Sequence, residues 1–392
     1  MGLGEKSSIS LQTHKNRNSV YYSVFFILTV INVLGTVNIG NKMMDILNAV
    51  STVVGLASAM ILVIISGEKI MRSGCGDAIL PTILLLAGIA VKVNSGDSTL
   101  LYISLLVAAN EGISVRGLAR VTLFALLICL LFSVAMLAMG LIDDVVICDG
   151  RSLLGSRFSL GFTHPNRLGR VLLGIAVSLV LSRIDLSRIT IAVIELLILI
   201  VAFAVADSRT TVMALIAVYL GERLVEKGGI KISKKGAMTV VCVLVAILML
   251  GTLLISFLYV PENTFFSLLD KVLSHRLEFW SAFLSETGIS LFGINVDEFQ
   301  VVAASGVVAV LDGAYATALF RYGVIASVLF VILFTGAARK LVSGDGSTAG
   351  LVVLIMFIMI SLTESYAFSP FSNFLLILAP HRLSDYRWQY QK

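Results

Sequence analysis

Charge is what this sequence has least of. Asp, Glu, Lys and Arg make up 14% of its 392 residues and hydrophobic residues 58%, against about a quarter charged in soluble domains. That balance excludes a soluble globular class. Cysteine is sparse as well. Cys75, Cys129, Cys148 and Cys242 form no CxxC and no Cys/His spacing suited to zinc, so neither a disulfide framework nor a zinc site is expected. The chain has no DxD motif and no acidic run of the kind that binds a catalytic divalent ion. Its apolar runs do not alternate in polarity, which excludes a β-barrel. No internal repeat and no long central cytoplasmic connector splits it into matching halves, as repeat-built transporters tend to show.

What the chain does have is apolar runs from end to end, so an all-α, polytopic integral membrane protein is expected. About twelve spans are predicted: 20–37, 46–66, 78–93, 99–112, 121–142, 167–183, 189–206, 211–224, 237–260, 313–335, 349–363 and 370–381. The first follows a basic leader (Lys6, Lys15, Arg17) without a small-residue cleavage site, so it is expected to be a retained anchor. Basic residues gather in alternate connectors: Lys69/Arg72, Arg116/Arg120, Arg183/Arg188, Arg223 to Lys235, Arg339/Lys340 and Arg382 to Lys392. With the leader, these hold roughly two-thirds of all Lys and Arg, which puts both termini in the cytoplasm. The net charge of +5 thus reflects topology, and no nucleic-acid partner is implied. Residues 1–392 are expected to form a single transmembrane domain. Two external loops are long, 143–166 and 261–312, and loops of more than about a dozen residues are usually functional or disordered.

The second loop, between spans 9 and 10, contains Lys271-Val-Leu-Ser-His275-Arg276-Leu-Glu278-Phe-Trp280. At the helical period, Lys271, Ser274, His275, Glu278, Ser281 and Ser285 fall on one arc; Val272, Phe279, Trp280, Phe283 and Leu284 fall on the other. Arg276 alone lies within the apolar arc. Two readings are open: an interfacial helix whose Arg snorkels to water, or a helical lid with Arg276 turned inward at an anion.

The other external basic residues are mostly arginines. Arg151 and Arg157 lie in the first long loop, Arg167 and Arg170 open the sixth span three residues apart, and Arg209 sits in the tight connector 206–211. Arg321 lies about eight residues into the tenth span. Arginine on the wrong side of the positive-inside pattern, or within a span, is a functional candidate by default, and its planar fork suits phosphate. Interface anchoring is the plainer account of Arg151 and Arg170. Asp207 or Ser208 can N-cap the eighth span, whose first-turn N–H groups would then favour an anion; a plain capped turn is the alternative. Thr163 can N-cap the sixth span with Pro165 in its first turn, leaving His164 and Asn166 as polar groups at a membrane entrance. Asp312, three residues before Tyr315, is either an N-cap or a general base. Glu364 and Tyr366 enter the last connector in a similar way.

Taken together, these fragments resemble the Wzy-type polysaccharide polymerases of bacterial capsule and O-antigen assembly, whose superfamily also holds the O-antigen ligases. The resemblance rests on Gly161-Phe162-Thr163-His164-Pro165-Asn166-Arg167-Leu168-Gly169, Ser208-Arg209-Thr210, the Arg276/Trp280 pair, Asp312-x-x-Tyr315 followed by Gly323, and Thr363-Glu364-Ser365-Tyr366. It runs in order from about residue 150 to 375; the first five spans carry no motif. It implies a GT-C-like glycosyltransferase of the bacterial cytoplasmic membrane. The implied reaction is inverting, metal-independent and without cofactor, and joins undecaprenyl-diphosphate-linked repeat units. Donor and acceptor glycolipids, membrane lipid, a flippase and a chain-length regulator are the implied partners. By position, Arg209 and Arg276 match the family's diphosphate-binding arginines. Asp312 stands where the ligases carry a presumed catalytic His, a departure that favours polymerase over ligase. Asp312, Arg276 and Arg209 are therefore the expected catalytic residues. Arg157, His164, Asn166, Arg167, His275, Glu278, Tyr315, Arg321, Glu364 and Tyr366 are expected to bind substrate, and no metal ligand is expected. The competing classes are a ligase and a lipid-linked sugar or solute transporter. A transporter would want charges near the midplane of several spans, where only Glu195 and Arg321 stand out.

Overall fold

The computed structural model describes residues 3–73, 75–148, 155–184, 186–228, 233–296, 298–305, 310–343 and 348–379. Its first elements are α1 (Leu3–Leu34), α2 (Asn41–Ser73), α3 (Cys75–Ser95), α4 (Thr99–Ala109), α5 (Val115–Ala138), the short strands β1 (Val146–Ile147) and β2 (Arg157–Phe158), and α6 (Pro165–Ser182). Then come α7 (Arg188–Ile200), a π-helical turn Val201–Val205, α8 (Arg209–Gly228), α9 (Lys234–Leu258), α10 (Thr264–Val272), α11 (Arg276–Thr287) and α12 (Glu298–Ser305). The chain continues through α13 (Ala314–Ala316), a second π-turn Thr317–Tyr322, α14 (Gly323–Ser343), α15 (Thr348–Ile360) and two 3₁₀ turns. Two compact units result, Met1–Arg72 with Ala109–Gly229, and Ser73–Ala108 with Ile230–Lys392.

The all-α class is what composition predicts. Among the described residues, five stretches are long and apolar enough to cross a membrane: Asn16–Leu34, Asn41–Lys69, Val115–Ala138, Lys234–Leu258 and Ala314–Val342. Four shorter apolar helices, Ile79–Ser95, Thr99–Ala109, Ile189–Val205 and Thr348–Ile360, fall within further expected spans. At 1.5 Å per residue, 11 residues of α4 reach only about 16 Å, half of a ~30 Å hydrocarbon layer. Residues 370–379, expected in a twelfth span, hold a 3₁₀ turn at Phe374–Leu378 instead of an α-helix. Phe368, Phe371 and Phe374 are buried there. A short apolar run enclosed on all sides has the same sequence signature as a span.

The outward faces of the long helices are apolar: Val53, Leu56 and Met60 on α2, Leu131 on α5 and Leu254 on α9 are all exposed. Such faces suit a lipid solvent, which offers no hydrogen bonds, so polar groups within the helices must be satisfied from the chain itself. Thr29, Ser66, Thr252, Ser256 and Ser327 each donate to the carbonyl four residues back.

In the first unit α6 is the central helix, with almost every residue from Leu168 to Ser182 buried. It packs along α5 and against α8. Gly169 makes the second contact close, since a Cβ there would stand 2.6 Å from Thr211 Oγ1. In the second unit α9 packs along α14. The tenth span is not one regular helix: a π-turn ends at Tyr322, and Gly323 breaks it at φ +88°.

The fold generates a topology test. Helix α9 has 25 residues, about 37 Å, with Lys235 and Glu262 exposed just beyond or at its ends. In a cysteine-free background, Lys235→Cys and Glu262→Cys should react with a membrane-impermeant maleimide from opposite sides, Lys235 from the cytoplasm. Labelling of both from one side would show that α9 does not cross.

Candidate functional site

The motif fragments come together in two groups, one in each unit. In the first unit the organising residue is Asp144. Its Oδ1 accepts from Ser159 N (3.1 Å), Ser159 Oγ (2.5 Å) and Gly161 N (3.1 Å). The loop is tied to the end of α1 by Asn38 N to Gly161 O (2.8 Å) and Thr163 N to Thr36 O (2.8 Å). Gly161 turns at φ +83°, where a Cβ would meet Ile142 Cδ1 at 2.7 Å and Ser133 Oγ at 2.8 Å. The chain then enters α6. Its N-cap is His164, not Thr163: His164 Nδ1 accepts from Asn166 N at 3.0 Å. Pro165 follows as the first helical residue, with no N–H to satisfy.

Arg157 and Asn166 are brought together. Arg157 Nη2 donates to Asn166 Oδ1 (2.6 Å), and its Nε donates to Ala206 O at 3.3 Å. The first-loop arginine thereby caps the carbonyl end of the π-turn before α8. Asp207 turns the chain at φ +41°. Ser208 occupies the N-cap position of α8, its carbonyl accepting from Val212 N (2.9 Å) and its Oγ meeting Thr211 Oγ1 at 2.9 Å. Arg209 opens α8 and is exposed, as is Arg167 on α6. Arg170 reaches Asn32 Oδ1 at 2.7 Å, a bond between helices. Arg151 lies outside the described residues.

In the second unit the loop helix is two helices. Leu273, Ser274 and His275 separate α10 from α11, with Ser274 at φ +55° and His275 at φ +64°. Asp270 holds the corner: its Oδ1 accepts from Leu277 N (2.9 Å) and Glu278 N (3.1 Å), and its Oδ2 meets His275 Nδ1 at 3.0 Å. A single amphipathic helix through Lys271–Leu284 was the expectation. The carboxylate of Asp270 satisfies the free N–H groups that such a break exposes, and so permits it. The apolar arc does face inward, with Leu277, Trp280 and Phe283 buried.

Arg276 also turns inward, and the anion it meets is part of the protein. Its Nη2 lies 2.8 Å from Asp312 Oδ2, with the two side chains 14% and 32% exposed. The same nitrogen donates to Thr363 O (3.0 Å) and Nη1 to Leu273 O (3.0 Å). Trp280 Nε1 donates to Asp312 O at 2.8 Å. Asp312 is thus an ion-pair partner and not the N-cap of α13. Gly313 takes that position, and donates its N–H to Asp312 Oδ1 at 2.9 Å. A Cβ on Gly313 would meet Leu362 O at 2.7 Å, so only glycine fits between the two chain segments. Ala314 N and Tyr315 N reach Ser361 O, at 2.7 and 3.4 Å.

Tyr315 is a core residue. It is fully buried, its hydroxyl donates to Ile358 O (2.9 Å) and its ring meets Phe368 edge-on. Glu364 and Tyr366 are buried as well. His275 is 46% exposed. Asp270, His275 and Glu278 offer metal-type ligand atoms that lie within 4.8 Å of one another. Both Asp270 oxygens already serve the α10–α11 corner. Burial, followed by the carboxylates Asp270, Glu278 and Glu262, pushes the nearby Tyr259 phenol above its usual value, which marks this end of the loop as negative.

Sequence reasoning passed over Asp144 and Asp270, the two carboxylates that hold the loops in shape. Asp270 precedes Lys271 by one residue, and the left-handed corner that brings it under α11 contains no glycine to reveal it. Asp144 acts across fifteen residues of loop, where no periodicity helps.

The Arg276–Asp312 pair generates a stability test. In a double-mutant cycle with Arg276→Met and Asp312→Asn, unfolding in detergent should show a coupling of about 1–3 kcal/mol, the upper range for residues in direct contact. Coupling below about 0.5 kcal/mol would mean that the pair does not fasten the loop.

A scan of protein-family models, a search of curated proteins and a search of solved structures return no match to this chain.

Proposed function

We propose that the protein polymerises undecaprenyl-diphosphate-linked oligosaccharide repeat units on the outer face of the bacterial cytoplasmic membrane. In this reading it is a GT-C-like, multi-pass membrane enzyme with its N-terminus inside. The observation that carries the reading is the convergence of the motif fragments. Gly161–Gly169 and Ser208–Thr210 meet in one unit through Arg157 and Gly169. Arg276/Trp280, Asp312–Tyr315 and Thr363 meet in the other. Within the second unit the fragments come together from up to 87 residues apart.

The reaction needs little covalent chemistry from the protein. A sugar hydroxyl of the acceptor attacks the anomeric carbon of the donor; the new C–O bond forms as the bond to diphosphate breaks. The hydroxyl proton goes to a base, and undecaprenyl diphosphate leaves with the electron pair. Positioning and charge stabilisation dominate such a step. Asp312 is the proposed base. Its carboxylate is a third exposed, and the oxygens that meet Arg276 and Gly313 each keep a second lone pair. The guanidinium of Arg276 fixes the orientation of that carboxylate, a positioning role in place of the diphosphate contact expected from sequence. Arg209, exposed at the first turn of α8, keeps the diphosphate role that the resemblance implies. A transporter reading gains a broken helix at Gly323, but the backbone groups at that break are already bonded to a loop. They do not line an open path.

The test is incubation of the purified protein with lipid-linked repeat units, read as a ladder of polymer; no ladder from the wild type sinks the reading. Arg209→Lys should abolish most of the ladder while leaving membrane levels normal, because a point charge cannot replace a bidentate fork. Asp312→Asn keeps the Gly313 contact and should lower turnover by roughly 10²–10⁴. Thermal stability is measured alongside, because the Arg276 pair is weakened. An active Asp312→Asn enzyme would remove the base assignment alone.

A further inference from the structure

The break in the tenth span holds an arginine that forms no ion pair among the described residues. Arg321 lies in the π-turn Thr317–Tyr322, about 10 Å along a stretch that is apolar enough to cross a membrane. Arg276 pairs with Asp312 and Arg17 with Glu111, and Arg157 and Arg170 donate to the neutral amides of Asn166 and Asn32; Arg116 shares with Arg321 a buried Nε without a partner. The Arg321 Nε is buried without a hydrogen-bond partner, and the side chain as a whole is half-buried, so an outside group can reach it.

The surroundings are built, not accidental. The loop after α11 inserts into the break. Ile294 N donates to Arg321 O (3.0 Å), Val324 N to Ser290 O (3.0 Å) and Ile325 N to Leu291 O (3.2 Å). Gly293 and Gly323 make the approach possible: a Cβ on Gly323 would stand 2.6 Å from Gly293 N, and one on Gly293 2.6 Å from Arg321 O. The backbone groups at the break are thereby satisfied. Two side chains are not, Arg321 through its Nε and Ser290 through its Oγ, both buried and unpartnered. On the other flank Tyr322 is buried, with its ring stacked on that of Phe330. A partly desolvated guanidinium without a counter-ion is costly, and so is a buried hydroxyl without a partner. Both costs disappear if an oxyanion sits between them. π-turns inside helices are frequent at functional sites.

We propose that this break is an oxyanion site in which Arg321, with the Ser290 hydroxyl as a second donor, takes a phosphate-type group. The assignment of that group to the diphosphate of a lipid-linked glycan rests on the function proposed above; the oxyanion site does not. The alternative source of the same chemistry is the headgroup of an anionic phospholipid.

The test uses the full chain in a phosphate-free maltoside micelle, with the apparent Tm followed against added ligand. Three probes are used: inorganic diphosphate, undecaprenyl diphosphate without sugar, and phosphatidylglycerol. The wild type should be stabilised by at least one of them. Stabilisation by the two diphosphates assigns the site to the glycolipid, and stabilisation by phosphatidylglycerol alone assigns it to a membrane headgroup. Arg321→Met should need at least about tenfold more ligand, the loss expected for a charge-assisted contact. Its ligand-free Tm should equal or exceed that of the wild type, because the unmatched charge is gone. Ser290→Ala should weaken binding several-fold with an unchanged ligand-free Tm. The proposal is overturned by no shift with any probe, by an undiminished shift in Arg321→Met, or by a ligand-free Arg321→Met that is less stable than the wild type. The last outcome would make Arg321 structural. A wild type that binds diphosphate but yields no ladder would leave the site standing and remove only the polymerase reading.

Discussion

A lipid solvent gives nothing back to a polar group, and most of this structure follows from that constraint. It makes helix the dominant backbone state, and it sends buried hydroxyls such as those of Thr29 and Ser256 to a carbonyl one turn back. It also explains why each irregularity is closed by a dedicated partner. The corner between α10 and α11 is closed by Asp270, the first long loop by Asp144, and the break at Gly323 by the backbone of residues 290–294. A helix that stops in an apolar setting exposes N–H or C=O groups, and here the loops supply the acceptors and donors.

The same constraint sets what a sequence reveals. The long apolar helices are legible because a run of hydrophobic residues has one dominant explanation. Where the run is short, two explanations compete. Residues 370–379 read as a membrane pass and fold as a buried 3₁₀ turn. Local caps are nearly legible: the position of Pro165 places the start of α6, but the cap is His164 and not Thr163. The two-helix form of the external loop was hidden. Helical periodicity sorts Trp280 and Phe283 inward correctly, yet periodicity continues across a corner made by non-glycine residues in left-handed conformation.

Charge partners are the least legible layer. Arg276 stands out in the sequence as a cation on an apolar arc, which leaves open whether it snorkels to water or turns inward; in the structure it turns inward. Nothing local tells that its anion is Asp312, 36 residues on. Three neutral acceptors or donors complete the same knot, Leu273 O, Thr363 O and the Trp280 indole. None carries a sequence signal, because backbone carbonyls are common to all residues.

Arg276 and Arg321 illustrate how far chemistry depends on that hidden layer. Both are arginines in apolar surroundings, and residue type alone would give them the same role. An arginine already bonded to a carboxylate and two carbonyls has most of its fork occupied; a ligand phosphate would have to displace Asp312 to reach it. Both arginines have a buried, unpartnered Nε, but Arg321 forms no ion pair among the described residues and so has no such competitor. The favourable energy of a guanidinium–phosphate contact is largest where the guanidinium has lost water and gained nothing else. By that measure the second unit divides its tasks: Arg276 shapes the loop and orients a carboxylate, and Arg321 keeps an open positive charge at the break beneath it in sequence. The division also gives the inserted loop a reason to exist. A regular α-helix through residue 323 would keep its own hydrogen bonds and need no loop. The break requires one, and in filling it the loop brings the Ser290 hydroxyl to the segment that carries the unmatched charge.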